Sequence, residues 1–178
     1  QFMYTIRPKT VQIMNGLSSQ SYDPVLMSSP YNIRTINASY NKSGNGNYQY
    51  KLSTINSRYP TDEADPFEAD IIRSFNADRR LKDYSGIRTI DNAPFYTIMR
   101  PFIPVNASCI PCHSTPEAAP VELVSTYGRE RGFAWPDGQI ISAVTVRVPL
   151  APSFAAARAT AKTSSLYFSG MLCLFLAL

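Results

Sequence analysis

Histidine is all but missing from this chain: His113 is the single one among 178 residues, and cysteine occurs only three times. These shortages exclude several kinds of site. A structural zinc site takes four Cys or His ligands in a tetrahedron. Outside Cys109, Cys112 and His113 the chain offers only Cys173, inside an apolar run near the C-terminus. Any Ser-His-Asp triad would have to use His113. Charged residues make up only 17% of the chain, with a net charge of +4. The basic ones, among them Arg7, Lys9, Arg58, Arg79, Arg80, Arg88 and Arg147, are scattered, with no stripe that follows a phosphate backbone, which excludes a nucleic-acid partner. No internal repeat is visible. The glycines of SGNGN (43–47) have no strand–loop–helix context and read as a turn, not a phosphate loop.

What is present suits one domain with a real core: 44% hydrophobic residues, eleven Tyr, nine Phe and fourteen Pro. The spacing predicts a helix over 2–17, turns over 18–30 and a helix over 31–41 with Ile33, Ile36 and Tyr40 on one face. Tyr48, Tyr50 and Leu52 alternate as in a half-buried strand. DPFE supplies Asp65 as cap, Pro66 at the first helical position and Glu68 to complete a capping box. The stripe Phe67, Ile71, Phe75 then covers a sheet. GIRTID and FYTIMRPF read as adjacent strands joined by a turn at 92–94, PVELVSTYG as a short helix ended by Gly128, and QIISAVTVRVPL as a long final strand. Four or five strands with helices before and between them make an α+β domain with a central antiparallel sheet. The acidic group Asp62, Glu63, Asp65 and Asp70 reads as a solvated helix start, not a metal site.

The only histidine lies within CIPCH, which spells C-x-x-C-H. Two thiols two residues apart, followed at once by an imidazole, have the reach to bond both vinyl groups of one porphyrin and to ligate its iron from below. A thioredoxin-like dithiol needs a long helix after the pair. Here Pro104 and Asn106 precede it, and Ser114, Thr115 and Pro116 follow. Chance is a poor account of two rare cysteines and the sole histidine falling together in this order. The residues favour one covalent haem c on Cys109 and Cys112, with His113 as an iron ligand. Bis-His ligation within one chain is then excluded. No acid–base constellation accompanies the motif, so an enzyme is not expected.

The strings IRPKTVQI, MSSPYNIR, YPTDEADPFEADIIRSF, FYTIMRPF, SCIPCHSTPEAAP and YGRERGFAWPDGQIISAVTVRVPL together resemble a bacterial family of c-type haem domains, from about Ile6 to Leu150. That family was long catalogued as a domain of unknown function. It has a PAS-like sensor fold, lies outside the cytoplasmic membrane in chemoreceptors, histidine kinases and cyclases, and has a stand-alone cyanobacterial branch. The resemblance implies haem on Cys109 and Cys112, proximal ligation by His113 and a PAS-like core. Some members take a distal ligand cysteine from the first helix, and this chain has none there. Met27, in a Met-Ser-Ser string similar to the family's, is the first candidate for the sixth position. Met14, Met99, Met3, Lys, Tyr, water and an open site are the others. Arg100 is a candidate partner for a haem propionate. Phe102, Tyr127, Phe133 and Trp135 are candidates to pack on the ring or simply to belong to the core.

The chain starts at Gln1, as a processed, trimmed or incompletely traced chain does. Its other end, LYFSGMLCLFLAL, is free of charge but shorter than the roughly 20 apolar residues of a membrane span. The expected organisation is an exported haem domain over 1–150, a helical connector over 151–165 and an incomplete transmembrane helix over 166–178. That helix would meet lipid and anchor the haem domain on the exported side, in a periplasm or a thylakoid lumen. The expected function is electron transfer by a haem subunit of a respiratory or photosynthetic membrane complex, with other subunits or a second copy as partners. The alternative is a redox or diatomic-gas sensor that signals through its membrane helix. The resemblance points to sensing, and the lack of a signalling module within the chain points to electron transfer.

Overall fold

The computed structural model describes Val25 and residues 28–44 and 48–177. The expected helix over 2–17 and the candidate ligands Met3, Met14 and Met27 lie outside the described residues. Helix α1 (Ser29–Lys42) opens with the Ser28 side chain accepting from the Tyr31 N–H. It leads to strand β1 (Gln49–Thr54), a short 3-10 turn at Pro60–Asp62 and helix α2 (Pro66–Ala77). Strands β2 (Tyr84–Ile90) and β3 (Ala93–Pro101) follow, then helices α3 (Ile110–His113) and α4 (Val121–Tyr127). Strand β4 (Ser142–Pro149) and helix α5 (Ala151–Ala177) complete the order. The four strands form one antiparallel sheet in the order β1-β4-β3-β2.

The capping box at the start of α2 forms as its residues demand. Asp65 accepts from the Glu68 N–H at 2.9 Å, and Glu68 accepts from the Asp65 N–H at 3.0 Å. The helix covers the sheet on a stripe displaced by about one position from the expected one. Ile72 and Phe75 are buried with Met99, Ile140 and Ala143, whereas Phe67 and Ile71 are only partly buried against that cluster. Full burial of each large side chain contributes about 1.5–3 kcal/mol. Register explains which strand residues meet the helix. Lys51, Thr145, Met99 and Tyr84 are paired in one row across the sheet, so all four point to the same face.

Four sequence expectations change. On α1, Ile36 and Tyr40 are exposed, and the inward positions include Asn37 and Asn41. Asn41 donates to the Tyr48 carbonyl at 2.6 Å and Tyr40 stacks on the Tyr48 ring with centroids 6.3 Å apart, so a polar side chain shares with part of the expected stripe the task of tying this helix to the start of β1. The β2–β3 turn is Asp91–Asn92, both with positive φ, a mirror-image turn that suits the twist of a hairpin, and Pro94 already pairs with Thr89 inside β3. The acidic group is not a solvated helix start. Asp62 is 3% exposed and bonded to Arg34, Glu63 is bonded to Arg131, and only Asp70 is largely in water. Lastly, α5 is continuous through both the expected connector and the expected membrane segment. Among the described residues no helix is long and apolar enough to cross a membrane. At 1.5 Å per residue the part from Leu166 onward reaches about 18 Å, against a hydrocarbon core of about 30 Å.

Between β3 and β4 the chain leaves the sheet over residues 102–141 and returns in register, with Pro101 opposite Ala143. The base of this excursion is closed by Phe102 N–H to the Ser142 carbonyl (2.8 Å), Val105 N–H to Gln139 (2.9 Å) and Gly138 N–H to Val105 (2.8 Å). The cysteines and the histidine lie within it.

Candidate functional site

Asn106 starts the local structure. Its side-chain carbonyl accepts from the Ser108 N–H (3.0 Å) and hydroxyl (2.7 Å), and its backbone carbonyl accepts from the Cys109 N–H (2.8 Å). One helical turn follows, with the His113 N–H donating to the Cys109 carbonyl at 3.0 Å and the Ser114 N–H to Ile110 at 3.0 Å. Cys109, Cys112 and His113 therefore stand at positions i, i+3 and i+4, the spacing that aligns side chains along one helix face. All three are partly exposed, and both cysteines are free thiols. The turn ends at His113, and no long helix continues from it.

A second strip of chain, Gly132 to Trp135, runs beside this turn. The Ala134 N–H donates to the Ser114 carbonyl at 2.8 Å and the Trp135 N–H to the His113 carbonyl at 3.3 Å. The Trp135 indole stacks on the His113 imidazole, with centroids 3.5 Å apart and planes within 8°. His113 Nδ1 lies 2.7 Å from the Gly132 carbonyl. A carbonyl only accepts, so Nδ1 carries the proton, and in the neutral ring Nε2 carries the lone pair.

A third strip, the loop after β1, holds the other two. Arg58 Nη2 donates to the carbonyls of Cys112 (2.6 Å) and Gly132 (3.0 Å), and its guanidinium lies over the Phe133 ring, 4.8 Å from the centroid. Asn56 donates to the Phe133 carbonyl at 3.1 Å and accepts from the Gly132 N–H at 3.4 Å. Arg131 donates to the Ser57 carbonyl at 2.9 Å and pairs with Glu63, which also accepts from the N–H groups of Asn56 (3.1 Å) and Ser57 (2.8 Å). The result is two thiols and one oriented imidazole at positions i, i+3 and i+4 of a single helical turn, while among the described residues no group of three or more His, Cys, Asp and Glu side chains is placed to hold a metal ion by itself.

Of the residues singled out in the sequence, Cys109, Cys112, His113, Phe133 and Trp135 come together. Phe133 is buried beneath Arg58. Arg100 lies on β3 with its side chain exposed and Asp83 at 3.8 Å as its ion-pair neighbour. Phe102 is at the base of the excursion, and Tyr127 ends α4 ahead of Gly128. Met99 is fully buried in the α2–sheet core. Arg58, Asn56 and Gly132 were not singled out in the sequence. The one signal near them is the glycine of RGF, which needs the rest of the fold to acquire meaning.

The sequence model of the Tll0287-like family matches residues 3–149. Among solved structures, the fold resembles that of the cyanobacterial haem protein Tll0287, with a TM-score of 0.52 at 17% identity, over 83% of this chain and 92% of that one. No protein of curated function matches the chain.

Proposed function

The chain belongs to the Tll0287-like family, and on that premise we propose that it is a haem protein carrying one haem c bonded to Cys109 and Cys112, with His113 as an iron ligand. The single observation that carries this reading is the hydrogen bond from His113 Nδ1 to the Gly132 carbonyl, which leaves Nε2 as the ligating nitrogen. The free thiols one turn apart and the name of the structurally similar protein support it. The neighbouring residues fit the group: Trp135 stacks on the imidazole and fixes its plane, and Phe133 is a buried ring in the same strip of chain. A haem bound here would supply a one-electron couple.

The first functional reading is electron transfer, with the domain on the exported side of a membrane and docked on other subunits. The large apolar side chains of α5, such as Leu166, Phe168, Leu174 and Phe175, are 70–77% exposed, and a docked partner would cover them. The second reading is sensing, in a PAS-like frame whose first and last strands are neighbours in the sheet. Its supporting observation is the direct passage from β4 into α5, where the Phe154 N–H bonds the Leu150 carbonyl and the Leu150 N–H bonds Pro94 of β3. A shift of the sheet would pass to the helix without a linker to absorb it.

In the test, the exported chain gives a reduced c-type spectrum that survives acid–organic extraction, and Cys109→Ala with Cys112→Ala abolishes it. Covalent colour persisting in the double variant overturns the reading. Carbon monoxide then divides the two functions: prompt binding to the reduced protein supports sensing, and refusal supports electron transfer.

A further inference from the structure

The Gly132 carbonyl is shared by two donors, His113 Nδ1 at 2.7 Å and Arg58 Nη2 at 3.0 Å. The same Arg58 nitrogen lies 2.6 Å from the carbonyl of Cys112, so one cation bridges the turn that bears the thiols and the strip that holds the histidine. Only glycine permits this approach at 132. Its φ is +77°, and a Cβ there would stand 2.8 Å from the Arg58 Cβ. A cation bonded to a carbonyl draws density from its oxygen, and a second donor on that oxygen meets a weaker acceptor. The imidazole then keeps its Nδ1 proton more fully and is less electron-rich at Nε2, since ligand basicity follows the partner of the other ring nitrogen.

We propose that Arg58 is a positioning residue for His113, acting through the Gly132 carbonyl. It clamps residues 132–135 onto the Cys109–His113 turn and restrains the electron donation of His113 to an iron bound at Nε2. The second half of this proposal rests on the haem reading, whereas the first half does not.

His113 is the sole histidine, so the imidazole nitrogen signals of the chain have one source. In the 15N-labelled full chain produced without haem, at a pH where the ring is neutral, the spectrum shows the Nδ1–H tautomer. Arg58→Gln shifts the Nδ1 signal toward that of a stronger hydrogen bond or alters the tautomer ratio. Arg79→Gln, which removes a 2.8 Å bond to the Gly138 carbonyl elsewhere on the excursion, leaves the signals in place. In the haem-loaded chain, Arg58→Gln lowers the midpoint potential in a mediated spectroelectrochemical titration, because removing the charge favours ferric iron. Folded Arg58→Gln with unchanged ring signals and unchanged potential overturns the proposal. If Arg58→Gln fails to fold, Arg58→Lys serves in its place. Its single ammonium keeps the charge but lacks the guanidinium fork, so a smaller shift of the ring signals is expected, and none overturns the proposal. Ring signals that respond in a chain that never attaches haem retract the haem reading while leaving the Arg58–His113 link standing.

Discussion

Glu68 is fully buried and surrounded by cations: Lys51 Nζ at 2.7 Å, Arg147 Nη2 at 2.6 Å and, more distantly, Arg88 at 4.0 Å. Removing the carboxylate leaves three poorly solvated cations around an emptied position. Glu68→Ala is therefore expected to lower unfolding stability by about 3–5 kcal/mol, the usual range for breaking a buried pair on one side, as read from urea denaturation. A loss below about 1 kcal/mol, the range of surface pairs, would show that water reaches the site. Gly132→Ala meets both a left-handed backbone, worth about 1–2 kcal/mol, and the Arg58 side chain, so it should destabilise the chain and perturb the His113 environment together. The sequence displayed Glu68 as half of a capping box. It did not display the cations, because Lys51 is 17 residues away and Arg147 79 residues away. Asp62 was misread for the same reason. Its partner Arg34 comes from another helix, and only the fold reveals that burial pushes Asp62 up and the neighbouring Tyr50 up to about 12.

At the scale of the element, α2 carries an acid-sensitive start. Burial pushes the Asp65 carboxyl up, but the Glu68 N–H, Arg88 and Lys51 more than offset it, and the net direction is down from 3.8. A carboxyl held low takes up its proton at a lower pH than the unfolded chain does. Its contribution is therefore present above 3.8 and is lost as pH falls through the lowered value. Asp62 runs the other way: held above 3.8, it favours the folded state in acid and loses that contribution as pH rises through the raised value. Asp65→Asn, which keeps a capping side chain, should thus be less stable than the parent chain at neutral pH. The gap between their urea midpoints should narrow as pH falls below about 4. A gap that stays constant into acid would exclude Asp65 as its source. The helix itself was legible because its signals are local: a cap, a proline at the first turn and an acid at the third position. The hairpin at Asp91–Asn92 was legible only to within two residues, since Pro94 resembles a turn residue until its pairing with Thr89 is known.

At the scale of the whole molecule, the sheet and the excursion from it account for nearly all packing, while every described side chain of α5 is exposed. A chain ending at Leu150 should therefore keep its cooperative unfolding midpoint to within a few degrees, as measured by far-ultraviolet circular dichroism. A large drop would mean that α5 supports the domain through contacts with another copy. Sequence patterning conveyed the α+β class and placed β1, α2 and the β2–β3 pair close to where they lie. Strand order was beyond it, because the β1–β4 pairing joins residues far apart in the chain. The candidate site divides along the same line. Its two thiols and imidazole sit within five consecutive residues and are visible in the sequence, whereas Arg58 and Gly132, which hydrogen-bond that turn, belong to segments that meet only once the sheet has formed.

Because β3 and β4 pair in register whatever lies between them, the sheet is indifferent to the length of residues 102–141, and lengthening a closed loop costs little, about 0.6 kcal/mol per doubling. The excursion behaves as a cassette, but not as a self-sufficient one, since its histidine is oriented with help from Asn56, Arg58 and Glu63 on another loop. A protein engineer moving this site to a new antiparallel sheet must transplant two pieces, 56–63 and 102–141, onto neighbouring strands. Natural exchange of such sites between sheets would have to carry both pieces as well.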